Sequence, residues 1–166
     1  FGVGIGGLEG IEKQSLVVDK RGPGRVSPFF IPSMISNMSP GNISIKYGLK
    51  SANYTVTSAC ASGAHAIGEA TSIIQKGQAK IMVTGGSEAA ICRIGVAGFS
   101  AMKALSTRND QPSAASRPWD ESRDGFVMAE GAGVLVLEDY EHAQRRGAPI
   151  LAEVSGYGFS SDAYHM

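Results

Sequence analysis

The residue whose surroundings hold most chemistry is Cys60, in the run Val56-Thr57-Ser58-Ala59-Cys60-Ala61-Ser62-Gly63-Ala64-His65-Ala66. A β-branched and aromatic stretch, Tyr54 to Thr57, leads into it, and a small-residue helical pattern leaves it. That order predicts a sharp strand-to-helix turn with the sulfur at the start of a helix. The unpaired N–H groups and the positive end of the dipole there favour the thiolate, which is the attacking form of the side chain. The small neighbours Ala59, Ala61, Ser62 and Gly63 leave room for a substrate. By residue type alone, a free cysteine is a small buried apolar side chain. Cys92, in Ala90-Ile91-Cys92-Arg93-Ile94, takes that second reading, because neither an elbow nor a helix start is predicted beside it.

The elements that must position Cys60 can be read from periodicity and punctuation. The opening residues read as the end of a buried strand, and Gly6 to Val18 as a weak helix. Asp19 to Pro28 is a loop by its Gly and Pro content. Phe29 to Tyr47, broken at Pro32 and Pro40, suits two short helices ended by Gly48. Ala61 to Lys76 carries Ala66, Ile67, Ala70, Ile73 and Ile74 on one stripe and is a helix stopped by Gly77. Lys80 to Thr84 is a strand, Ala89 to Met102 a short helix and loop, and Ser106 to Asp124 a long polar loop. Val134 to Leu137 is a strand, Asp139 to Arg146 a charged surface helix, and Ile150 to Tyr157 a final strand. The alternation of strand and helix predicts an α/β architecture.

The 166 residues are 43% apolar and 18% charged, enough for a modest core, and the formal net charge is zero. A chain without a basic surplus lacks the footprint of a nucleic-acid binder. No apolar run reaches the ~18 residues that span a bilayer, and no signal peptide is visible. Two cysteines without CxxC spacing argue against a zinc site or a disulfide framework and suit a reducing, cytoplasmic compartment. Both ends read as cut, which suggests an interior piece of a longer protein. Gly2-Val3-Gly4-Ile5-Gly6-Gly7 fits the dinucleotide fingerprint in form only, since the acidic residue expected about twenty positions on is missing. Ser106, Ser113 and Ser122 lie in loops without a triad pattern.

Thr57-Ser58-Ala59-Cys60-Ala61-Ser62-Gly63 resembles the S/T-A-C-x-S/T-G motif around the nucleophile of β-ketoacyl-acyl-carrier-protein synthases. Gly95 to Phe99 followed by Ala104-Leu105-Ser106, then Arg117-Pro118-Trp119-Asp120, Arg123 to Val127, Glu130-Gly131-Ala132 and Ser160 to His165, match further blocks of that family in order. The resemblance spans essentially the whole chain and is greatest to the bacterial type II elongation enzyme, synthase II. It implies a thiolase-like layered αβαβα fold, here incomplete. Residues 1–148 would belong to the N-terminal half, lacking its first elements, and 149–166 would begin the C-terminal half.

The resemblance also implies roles. Cys60 would accept the acyl group and lend its backbone N–H to an oxyanion hole. Ile5 and Phe99 would line the acyl tunnel and its mouth, the glycines of Gly2 to Gly7 would make room beside the acyl chain, and Phe30 would reach into the partner subunit's tunnel. Arg25 and Lys103 would dock the acidic acyl carrier protein. As bare residue types, the three apolar side chains are ordinary core and the two cations solvated surface charges. His165 falls at a matching motif near the site. Two decarboxylation histidines of the family lie beyond the sequence. Of those present, His65 is expected to turn away from the sulfur and His142 to be solvated surface. No dissociable cofactor and no metal is implied, because substrates ride on the phosphopantetheine of acyl carrier protein. The family is homodimeric, with Tyr54 to Thr57 pairing across the dimer axis. Two other readings stay open: a polyketide-type ketosynthase, whose motif usually continues the Cys with serines, and a non-catalytic homologue of the same fold, which usually replaces the Cys.

Overall fold

The computed structural model describes residues 1–164, a mixed assembly of helices and strands. Two antiparallel strands form its sheet: β1 (Ile81–Glu88) and β2 (Gly131–Glu138), in register from Ile81 opposite Glu138 to Glu88 opposite Gly131. The N-terminal segment extends this sheet without becoming a regular strand. Gly2 forms parallel bridges to Gly86 on one side and to Val56 on the other. Its amide donates to Gly85 O (2.8 Å) and its carbonyl accepts from Ser87 N (3.1 Å), while Val56 N donates to Phe1 O (2.9 Å) and Val3 N to Val56 O (3.2 Å). The order across this level is therefore Val56, Gly2, β1, β2.

Helix α1 (Leu8–Arg21) follows the N-terminal segment and ends at Gly22, whose φ of 79° only glycine adopts without strain. Lys20 and Arg21 in its last turn meet the negative end of the dipole. Helix α1 therefore runs through Asp19–Arg21, which the loop reading had claimed; the breakers begin only at Gly22-Pro23. Two short helices follow as expected, α2 (Phe30–Met34) and α3 (Met38–Tyr47), the second closed by Gly48 in the left-handed conformation. Helix α4 (Ser62–Gln75) lies on β1 and buries Ser62, Ala66, Gly68, Ala70 and Thr71. Helix α5 (Arg93–Ala101) packs on α1, and α6 (Tyr140–Arg145) follows β2 directly.

Between α5 and β2 the chain makes a long closed loop. Its neck is Phe126 N to Ala104 O (2.9 Å) and Ser106 N to Phe126 O (2.9 Å). Inside it, Arg117 binds Ala115 O, Ser122 O and the Asp124 carboxylate (3.1 Å), so one guanidinium gathers the loop onto itself. Asp124 also accepts from Ser106 Oγ (2.6 Å) and Thr107 N (2.9 Å). Led by the Ser106 hydroxyl bond, these donors hold its carboxyl down at about 2.

Two expected strands are not strands. Tyr54 to Thr57 contributes a single bridge, at Val56, and Ile150 to Tyr157 has no strand assignment. A β-branched run becomes a strand only beside a backbone that pairs with it. Among the described residues the 150–157 segment has no ladder partner, and Leu151 stands 97% exposed. The dry interior is small: among the described residues the largest fully buried side chain is Thr84, and the buried apolar residues are Val3 and five alanines. Among the described residues nothing covers strand β2 at Val134, Leu135 and Val136, which are all exposed.

Candidate active site

Cys60 sits on an elbow built by two residues before it and two after. Ser62, the first residue of α4, accepts from Ser58 N (2.9 Å) through its hydroxyl oxygen and donates to Ala59 O (2.6 Å). Ala61 N donates to Ser58 O (3.1 Å) and Ser62 N to Ala59 O (3.1 Å), closing two successive tight turns. The chain turns so sharply that Ala59 has φ 50°, a left-handed conformation that costs an L-residue roughly 1–2 kcal/mol. Cys60 follows, with its side chain exposed. The helix begins two residues after the sulfur-bearing residue, with Ala61 as its N-cap, so the sulfur lies just ahead of the helix and not within its first turn.

Cys92 corrects a contrast drawn from the sequence. It too adjoins a helix start, as the N-cap of α5, in extended backbone (φ −136°, ψ 173°). A helix start is therefore common to both cysteines. The strained residue before the sulfur belongs to Cys60 alone.

The N-terminal segment passes against this elbow. A Cβ on Gly2 would overlap the backbone of Ser62 and Gly63, and Thr57 Oγ1 donates to Val3 O (2.9 Å). A Cβ on Gly4 would meet the Glu88 carboxylate and stand 3.3 Å from Ala59 O, while one on Gly7 would overlap Ser33 and Met34. These glycines make room for other protein segments, where the sequence suggested an acyl chain. Ile5 follows, half-exposed, its amide donating to Glu88 Oε2 (2.8 Å); Gly6 N donates to Glu88 Oε1 (3.2 Å). Glu88, at the end of β1, escaped the sequence reading because nothing in its own neighbourhood marks a carboxylate that caps a segment 82 positions away.

The remaining expected residues are spread around this centre. Phe99 lies in α5 with its ring edge-on to Phe126 at 5.2 Å, at the neck of the long loop. Phe30 opens α2 and is half-buried. Arg25 ends a 3-10 turn, and Lys103, at φ 57°, follows α5; both are exposed, and no ion pair is recorded for either among the described residues. One cavity of about 270 Å³ lies under Tyr54, Glu69 and Ile73, and another of about 600 Å³ beside Gly7, Ser33 and Glu88. Neither is lined by Cys60, Ile5, Phe30 or Phe99. Among the described residues no cluster of three His, Cys, Asp or Glu could hold a metal ion. His165 lies outside the described residues.

His65 and His142 both have partners. The His65 Nδ1 is 2.6 Å from Ser58 Oγ, and its ring packs edge-on to Tyr157 (6.3 Å) and Phe159 (6.2 Å). His142 bonds Glu138, which also holds Arg146, so it is a half-buried member of an ion-pair cluster and not a freely solvated residue. The Arg146 hydrogen bond, and then that of His142, keep the Glu138 carboxyl at about 2.

Comparison with known proteins places this geometry. The chain is 57% identical over 166 residues to the 3-oxoacyl-[acyl-carrier-protein] synthase 2 of Vibrio cholerae serotype O1, and 56% identical over 167 residues to that of Rhizobium meliloti. All of this chain is matched in both, but it spans only 40% of the length of each of those relatives. Among solved structures, a type II polyketide ketosynthase in complex with its acyl-carrier protein superposes with a TM-score of 0.95 at 37% identity, covering 100% of this chain and 42% of that one. The fold is thus the thiolase-like fold of the ketosynthases, present in part. The family model for the β-ketoacyl synthase N-terminal domain matches residues 1–143, and the chain belongs to the β-ketoacyl synthase family.

Proposed function

We propose that the protein carrying this chain is a β-ketoacyl-acyl-carrier-protein synthase of fatty-acid elongation, and that Cys60 is its acyl acceptor. The observation that carries this reading is the exposed sulfur on a strained elbow immediately ahead of α4. The Cys60 thiolate attacks the thioester carbonyl of an acyl group on phosphopantetheine, and the carrier thiol leaves as the acyl–sulfur bond forms. The elbow holds Cys60 at the mouth of a turn lined by alanine, serine and glycine, so the carbonyl carbon can approach without displacing a large side chain. The Cys60 N–H is one donor to the oxyanion that develops. In the second half-reaction a malonyl thioester loses CO2, and its carbanion attacks the Cys60 thioester. The thiol is released together with a β-ketoacyl thioester two carbons longer.

Residue-level support differs in strength around the site. Ile5 follows the Gly2–Gly4 segment that touches the elbow, which favours its place along the acyl chain. Phe99 and its partner Phe126 offer an aromatic mouth, and Phe30 is assigned to the partner subunit's tunnel. Arg25 and Lys103, exposed and without recorded ion pairs, are the cations assigned to docking of an acidic carrier protein. A homodimer is assigned because residues 54–57 pair with the N-terminal segment on one side only among the described residues, leaving an edge for a second copy. The cytoplasm is the compartment assigned, where a nucleophilic thiol stays reduced. The polyketide-type reading has a specific observation in its favour, the TM-score of 0.95 to such a ketosynthase, but identity there is 37% against 57% to a fatty-acid enzyme.

The test is transfer of an acyl group from acyl-carrier protein to the full-length protein, followed by intact mass. A stable adduct of acyl mass is expected on the parent and on Cys92→Ala, and none on Cys60→Ala. An adduct that survives Cys60→Ala would overturn the assignment.

A further inference from the structure

The elbow under Cys60 is tied to a segment nearly a hundred residues away through one imidazole. Ser58 Oγ and His65 Nδ1 are 2.6 Å apart, joining the start of the elbow to the second turn of α4. The other contacts of this ring are aromatic: Tyr157 at 6.3 Å and 89°, and Phe159 at 6.2 Å and 68°, which also touch each other at 5.7 Å. Tyr157 reaches this place because Gly68, one turn along α4, has no side chain; a Cβ there would overlap the tyrosine ring. From Ser58 the connection continues through Ser62, whose hydroxyl holds both Ser58 N and Ala59 O. Ala59 is the residue at φ 50°, and Cys60 comes next. A strained conformation persists only where its surroundings over-determine it. Here two hydroxyls and one imidazole do so, with two aromatic rings fixing the imidazole.

We infer that His65 is a positioning residue for the nucleophile: its hydrogen bond to Ser58, braced by Tyr157 and Phe159, holds the elbow in the conformation that presents Cys60. The inference rests on the acyl-accepting role proposed above, and it adds a second requirement, that the 157–159 segment be docked for the thiol to be fully presented. His65 touches no reacting atom in this account. It acts through Ser58, and Ser58 acts through the backbone of Ala59.

The experiment uses the full-length protein in a Cys92→Ala background and follows alkylation of Cys60 by iodoacetamide from pH 6 to 9. Alkylation needs no acyl-carrier substrate, so it reports presentation of the thiol separately from catalysis. His65→Leu is expected to lower the second-order rate constant about fivefold across the range, the weight of one ordinary hydrogen bond. Ser58→Ala, which keeps the backbone bond to Ser62, is expected to do the same. The double variant should be no slower than either single one, and His65→Asn, whose amide can reach Ser58, should recover to within about twofold. In turnover the same variants should lose kcat with KM for the thioester unchanged. If His65→Leu does not fold, Ser58→Ala and His65→Asn still decide the matter. Alkylation at the parental rate in Ser58→Ala, effects that multiply in the double variant, or His65→Asn as slow as His65→Leu would each overturn the inference. If the alkylation pattern holds while no acyl group is ever taken up, positioning stands and the proposed function fails.

Discussion

Replacing Gly68 with alanine tests the packing behind the elbow, because two effects of opposite sign meet there. In an open helix interior the change stabilises by about 1 kcal/mol. Here the new methyl would overlap Cε1, Cε2 and Cζ of Tyr157, and the ring must withdraw by roughly 1 Å or more to recover the ~3.5–4.0 Å spacing of carbons in contact. Tyr157 is 43% exposed, so a little over half of it is covered where it lies. Losing about 100 Å² of covered ring at about 25 cal/mol per Å² costs about 2.5 kcal/mol. The edge contact to His65 adds about 1 kcal/mol. The net expectation is a loss of about 2–3 kcal/mol in the parent. In a Tyr157→Ala background the obstruction is gone, and Gly68→Ala should stabilise by about 1 kcal/mol. Urea unfolding of the four proteins in this cycle measures both values. A Gly68→Ala effect of the same sign and size in both backgrounds would refute the packing argument.

Other outcomes follow from the same coordinates. The Asp124 carboxyl is held at about 2, below its unfolded value of ~3.9, so its contribution is complete above about pH 4 and is lost as pH falls toward 2. Pepsin should nick the 106–124 loop increasingly over that window in the parent, while Asp124→Asn should be nicked readily at pH 4 and change little below it. Arg25→Glu or Lys103→Glu should raise KM for an acyl-carrier thioester several-fold and leave KM for the same acyl group on free pantetheine unchanged; equal effects on both substrates would remove these residues from docking. The isolated 166-residue chain should give no condensation product from malonyl and acyl thioesters by mass spectrometry, and product formation would contradict the reading that histidines outside it are required.

The sequence was legible where the signal was local. The stripe of Ala66, Ile67, Ala70, Ile73 and Ile74 predicted α4, and Gly48 and Gly77 marked true helix ends. The motif around Cys60 located the elbow, though nothing in it revealed that Ala59 would take a positive φ, since alanine is not a residue type that advertises one. Strands were legible only as propensity. Tyr54–Thr57 and 150–157 have β-branched and aromatic residues, but pairing is decided by distant backbone that no periodicity encodes. The same limit hid Glu88 and the bond from His65 to Ser58. A Ser seven residues before a His says nothing until α4 is known to start between them, at Ser62; with that start given, both residues face the elbow. Cys92 failed for the opposite reason: a short helix was expected within Ala89 to Met102, but Arg93–Ala101 begins without a capping side chain, so no residue type marked its start.

The bare second strand carries a hazard of its own. Gly133 to Leu137 is an uncharged run of glycine, valine and leucine on the outer edge of the sheet, with Val136 63% exposed and, among the described residues, only β1 beside it. Such a segment can recruit an identical copy along its open backbone and begin a cross-β stack. Its guards are at the ends: Glu130 before it and Glu138 with Asp139 after it, the first of that pair kept ionised by Arg146 and His142. Those charges repel a second copy in register, and neutralising Glu130 and Glu138 together should let the isolated chain seed fibrils that the parent sequence does not.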